Sequence, residues 1–176
     1  MTFWLEHDWQ EAAARNIADT LSATASELLK QSLGNRVWTP TIFRDLAPCA
    51  LDLCNRDGFK PVCSFGGGAL LSHGRGWLYD FCCWIEGPNS TFLGLPIVVE
   101  SEWTLSEIHD DFDKLNQARA GLRVFIFEDK RGKPLDDWID DLLARARMFT
   151  PHEKDDAWLF ACLRTKAFEC KFNRTG

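Results

Sequence analysis

Three acidic side chains stand out by type and spacing. Asp80 lies in the run Trp77 to Ile85, and Glu100 and Glu102 close the run Ile97 to Trp103. Both runs read as apolar strands, and side chains two apart in a strand share a face. Glu100 and Glu102 therefore point the same way as Val98, while Ile97, Val99, Ser101 and Trp103 point the other. Asp80 falls on a face with Leu78, Cys82 and Trp84, a poor place for an unpaired charge, because taking an ionised carboxylate out of water is costly. If the turn-rich segment Glu86 to Gly94 makes the two strands neighbours, the acids come close and raise one another's pKa. A hard divalent cation resolves that conflict. Mg2+ and Mn2+ favour one or two carboxylates together with water and phosphate oxygens.

The elements that must hold these acids follow from pattern. Trp4 to Leu33 carries Ala13, Ile17, Leu21, Leu28 and Leu29 at helical spacing, and Gly34-Asn35 is a natural stop. Trp38 to Asp57 reads as a Pro-punctuated stretch with a short apolar helix through Ile42, Leu46, Cys49, Leu51 and Leu53. Phe59 to Phe65 is a strand, the glycines at 66 to 68 are a turn, and Ala69 to Ser72 continues the pairing. With the Asp80 and Glu100 strands this makes an antiparallel meander.

Thr104-Leu105-Ser106-Glu107 has the form of a capping box. The helix it opens buries Leu105, Ile108, Phe112 and Leu115 and leaves Glu107, Asp111 and Lys114 along one flank. Gly121 ends that helix, and Leu122 to Phe127 is an apolar strand that must run parallel to the Glu100 strand, by a right-handed crossover. A helix through Leu135, Trp138, Ile139, Leu142, Leu143 and Ala146 follows. Ala157 to Leu163 and Ala167 to Phe172 then form a closing hairpin.

This order of elements, with Asp80 in one core strand and Glu100-Ser101-Glu102 at the end of the next, resembles the PD-(D/E)XK nuclease superfamily. The fold implied is α/β: a restriction-endonuclease-like α-β-β-β-α-β core, a mixed sheet flanked by helices, with a C-terminal helix and β-hairpin added. The superfamily's lysine is replaced by Glu102, a departure that some of its restriction enzymes share. The resemblance implies a metal-dependent nuclease that hydrolyses phosphodiester bonds of DNA or RNA. Asp80, Glu100 and Glu102 would hold Mg2+ or Mn2+, with Glu102 doubling as general base. Lysines displaced from the strand are sometimes supplied from the following helix in that superfamily, which makes Lys114 the candidate for the missing cation. The competing reading of Lys114 is an exposed pair with Asp111, worth only a few tenths of a kcal/mol.

Composition sets bounds on this expectation. At 176 residues and 45% hydrophobic, residues 1–176 fit one domain with a substantial core. No run of about 18 apolar residues is present and the N-terminus lacks the build of a signal peptide, so a cytoplasmic protein without a membrane span is expected. The net charge of -6 argues against a surface that is basic all over, so nucleic acid would have to meet a local patch and metal ions. Arg164, Lys166, Lys171 and Arg174 make the C-terminal end basic. The acidic balance and the absent strand lysine equally suit an alternative, a catalytically inactive relative of the fold that binds a protein partner or a second copy of itself. Tryptophans on its surface would mark such an interface.

Seven irregularly spaced cysteines fit reduced thiols better than a disulfide framework. Cys49, Cys54 and Cys63 with His73 lack the paired spacing of a zinc site. Thiol chemistry at Cys82 or Cys83 with His73 is disfavoured by burial in a strand. His73 and Arg75 read as a polar hairpin connection, or as groups near a phosphate.

Overall fold

In the computed structural model, which describes residues 2–31, 35–56, 58–65, 78–128, 133–149 and 157–172, alternation of apolar side chains on the strands builds two separate cores. The strands are β1 (Lys60–Phe65), β2 (Phe81–Glu86), β3 (Phe92–Glu102), β4 (Ala120–Phe127), β5 (Ala157–Cys162) and β6 (Ala167–Phe172), and the helices are α1 (His7–Lys30), α2 (Asn35–Cys54), α3 (Ile108–Asn116) and α4 (Leu135–Phe149). They form one six-stranded sheet in chain order. β1, β2 and β3 are an antiparallel meander, β3, β4 and β5 are parallel, and β6 closes antiparallel to β5.

On one face Phe81, Cys83, Ile85, Ile97, Val99, Val124 and Ile126 pack against α1 and α2. On the other, Cys82, Val98, Phe125, Phe127 and Phe160 pack against Ile108, Phe112 and Leu115 of α3 and Ile139 and Leu142 of α4. Two parallel crossovers, each through a helix, put α3 and α4 on the same face, as crossovers of one hand must. Glu100 and Glu102 belong to that face. The architecture is thus α/β with a mixed sheet flanked by helices.

Four local expectations are corrected. The region from Trp38 onward is no broken stretch but one continuous helix, Asn35–Cys54, with Pro40 and Pro48 inside it. Burial of Trp38, Ile42, Phe43, Leu46, Ala47 and Ala50 along one side outweighs a penalty of about 3 kcal/mol per interior proline. Gly121 does not end a helix: α3 stops at Asn116 and Gly121 lies inside β4. A side chain there would stand 2.3 Å from the Trp4 carbonyl oxygen, so glycine permits the N-terminal turn to press on the sheet, where Gln10 Nε2 also donates to Gly121 O at 2.9 Å. The capping box is not formed. α3 begins at Ile108 with no side-chain cap, because the Thr104 N–H donates to Glu102 Oε1. Finally, β2 starts at Phe81, which leaves Asp80 just outside the strand.

The triple glycine, Ala69 to Ser72, His73 and Arg75 lie outside the described residues, as does Arg174. No helix among the described residues is long and apolar enough to cross a membrane. None of the described tryptophans is exposed.

Candidate functional site

β3 ends in a carboxylate-bearing segment because its last turn of alternation places Glu100 and Glu102 beyond Val98, against α3 rather than in water. Glu100 is fully buried, 0% exposed, and Glu102 is 8% exposed. The flank of α3 above them supplies Asp111 and Lys114. Lys114 Nζ lies 2.8 Å from Glu100 Oε2 and 3.3 Å from Asp111 Oδ1. Glu100 Oε2 is thus met by the ammonium, whereas Oε1 is buried without a hydrogen-bond partner. Glu102 Oε1 accepts from the Thr104 N–H, and Asp111 lies near enough to push the Glu102 carboxyl group up.

Asp80 adjoins this group without pointing into it. Phe81 pairs with Val99 in the ladder, so the Ser101 N–H lies beyond the last backbone partner that β2 offers. The Asp80 side chain takes that place: Oδ2 accepts from Ser101 N at 2.9 Å and from Ser101 Oγ at 3.0 Å. Its charge still reaches Glu100. Asp80, Glu100, Glu102 and Lys114 are therefore neighbours at one end of β3, but Asp80 is engaged by Ser101.

Electrostatics follow from burial. Glu100 is pushed up to about 8, first by desolvation; the Lys114 ammonium pulls it down, while Asp80 and Asp111 push it up again. Glu102 is raised, by burial and then by the carboxyl group of Asp111. Burial pulls Lys114 down, but Glu100 and Asp111 more than offset this and its net shift is upward. The two partners of the Glu100–Lys114 pair thus differ in what the pairing does for their charge. Lys114, 27% exposed at its side chain, keeps water and stays charged, whereas sealed Glu100 bears the heavier desolvation.

Two further contacts hold the parts in place. Trp103, facing the opposite side of the sheet from Glu102, donates from Nε1 to Thr39 Oγ1 of α2 at 2.8 Å. Arg145 of α4 grips both carboxylate oxygens of Asp113, one residue before Lys114.

Asp111 and Ser101 are the residues that sequence pattern left out of the site. Asp111 carried a signal, its spacing of three from Lys114 on one helix flank. Ser101 carried none, since alternation alone sends it to the other face. The cysteines form a separate cluster. Cys63 and Cys83 are directly opposite in β1 and β2, and their buried thiols donate to α2 carbonyls, Cys63 to Ala47 O at 3.8 Å and Cys83 to Ala50 O at 3.9 Å. Burial pushes Cys82 up to about 12, which leaves it a protonated core residue.

Among the described residues there is no group of three or more His, Cys, Asp or Glu side chains that could hold a metal ion. Compared with protein-family models, with curated proteins and with solved structures, the chain matches none of them.

Proposed function

We propose that this chain is a metal-dependent nuclease that hydrolyses phosphodiester bonds of DNA or RNA. The observation that carries the reading is the state of Glu100: a carboxyl group with no exposed surface, its Oε2 met by the Lys114 ammonium at 2.8 Å and its Oε1 buried without a hydrogen-bond partner. Buried polar atoms left this way are rare and costly, and a hard cation satisfies them. The donor set is all oxygen, which suits Mg2+ or Mn2+. Glu100 and Glu102 would hold the ion, with Asp80 adding its charge from beside Ser101.

When bound, the ion supplies Lewis-acid neutralisation of charge on the phosphate and lowers the pKa of nearby water. The side chains do the rest. Glu102 draws the proton from the attacking water, the role of a general base. Lys114, tethered to a helix rather than to the strand, offers its ammonium to the oxygens on which negative charge builds. Asp111 keeps that ammonium at the site.

The test is cleavage of single- and double-stranded DNA and RNA by the full chain with Mg2+ or Mn2+, repeated with Asp80→Ala and Glu100→Gln. Metal-dependent cleavage lost in both variants supports the reading. Neither cleavage nor any effect of metal on thermal stability sinks it, and turns attention to a binding module that works through protein contacts.

A further inference from the structure

The sheet has two edges, β1 and β6, and they differ. β1 carries Pro61, which has no N–H to offer a further strand and blunts that edge. β6 carries no proline, and its only neighbour among the described residues is β5. All of its residues are half-buried.

The two faces of β6 are unlike. Phe168, Cys170 and Phe172 lie on the side of α1, at the margin of the core there. With Ala14 and Ala18 of α1 and Leu159 of β5 they line an open groove of about 320 Å³. Glu169 and Lys171 alternate onto the other face, where Lys171 Nζ donates to Glu169 Oε1 at 2.6 Å. These two side chains are 34% and 40% exposed.

We propose that β6 is the docking edge for a second copy of this chain, which adds its own β6 antiparallel about a two-fold axis at Cys170 and joins the two sheets into one.

Register carries the argument. Directly opposite side chains of an antiparallel pair share a face, so the two-fold must pass at a residue position and pair the strands symmetrically about it. An axis at Glu169 sets that carboxylate against its own copy, and an axis at Lys171 does the same to the ammonium. An axis at Phe168 sets Lys171 and Phe172 against the turn that precedes the strand, and axes nearer either end shorten the ladder. The axis at Cys170 sets Glu169 opposite Lys171 of the second copy, and Lys171 opposite its Glu169. Opposite charges then meet on one face, and Phe168 meets Phe172 on the other, closing the groove. The exposed Glu169–Lys171 contact within one strand is worth little and widens into a ring of alternating charges. Pairing of this edge does not depend on the carboxylates at the end of β3.

The experiment is sedimentation equilibrium of the full chain, with hydrogen exchange of the β6 amides followed on dilution. The wild type should have twice the mass of one chain and lose protection in β6 as it is diluted. Glu169→Lys sets lysines opposite one another across the axis and Lys171→Glu sets glutamates. Each alone should raise the dissociation constant by about tenfold or more. Mixing the two variants restores the opposite-charge pairs and should return the affinity to that of the wild type, a rescue that a folding fault does not allow. Where Lys171→Glu does not fold, the double variant Glu169→Lys/Lys171→Glu decides in the same way. A monomeric wild type overturns the proposal. So does a dimer that both charge reversals leave intact, or one whose β6 amides exchange as they do in the monomer.

Discussion

Lys114 Nζ of α3 and Glu100 Oε2 of β3 stand 2.8 Å apart, one partly in water and the other wholly out of it. That asymmetry sets the chemistry of this end of the sheet, because the partner that cannot reach solvent carries the larger desolvation cost.

The stability of the protein should therefore depend on pH through Glu100. Its pKa rises from 4.5 to about 8 on folding, so the folded state holds the proton more tightly than the unfolded chain. The contribution is fully present below about 4.5 and is lost as pH climbs towards about 8. At about 1.4 kcal/mol for each unit of difference, the loss across the window is several kcal/mol. Urea denaturation of the metal-free protein should show wild type losing stability over that window, and Glu100→Gln should flatten the profile.

Glu102→Gln keeps the shape of the side chain and removes its basicity. If Glu102 draws a proton from water, the rate of cleavage at saturating substrate should fall by about a hundredfold to ten-thousandfold. Little change in KM is expected. A rate within a few fold of wild type would reassign the base.

Ser101→Ala removes one of the two hydrogen bonds to Asp80 Oδ2 and leaves the backbone bond intact. The expected cost is about 1 kcal/mol, read from the denaturation midpoint. Asp80→Asn should cost more in the wild-type background than in Ser101→Ala, and a double-mutant cycle measures that coupling.

Phe112 is fully buried among Phe125, Trp158 and Phe160, on the helix that carries Asp111 and Lys114. Phe112→Ala should destabilise the protein by about 3–5 kcal/mol. It should also weaken cation binding, because the helix loses what seats it on the sheet. Thr39→Val, which removes the acceptor for Trp103, should cost only about 1 kcal/mol.

Much of this could be read from residues alone, and the failures have physical causes. The period-two alternation of Ile97, Val99 and Ser101 against Val98, Glu100 and Glu102 placed the acids on one face. The helical spacing of Ile108, Phe112 and Leu115 placed α3 over it. Propensity misled at α2, where two prolines argued for a break and burial overrode them. Gly121 misled because its reason lies far away in sequence, at Trp4. The end of β2 and the empty capping box failed alike: side-chain oxygens of Asp80 and Glu102 took backbone N–H groups, and such substitutions leave no trace in a pattern of apolar residues. The closeness of Asp111 to Glu102 joins two elements, so only the packing of α3 on β3 reveals it.

The parallel run of β3, β4 and β5 brings their carboxyl ends to one rim, where Glu102 is followed along the edge by Glu128, ion-paired with Arg164 just past β5. The opposite rim is clamped by the N-terminal turn through Trp4 and Gln10. Connections leaving the first rim can thus be lengthened or exchanged while the strand that bears the acids stays anchored from behind.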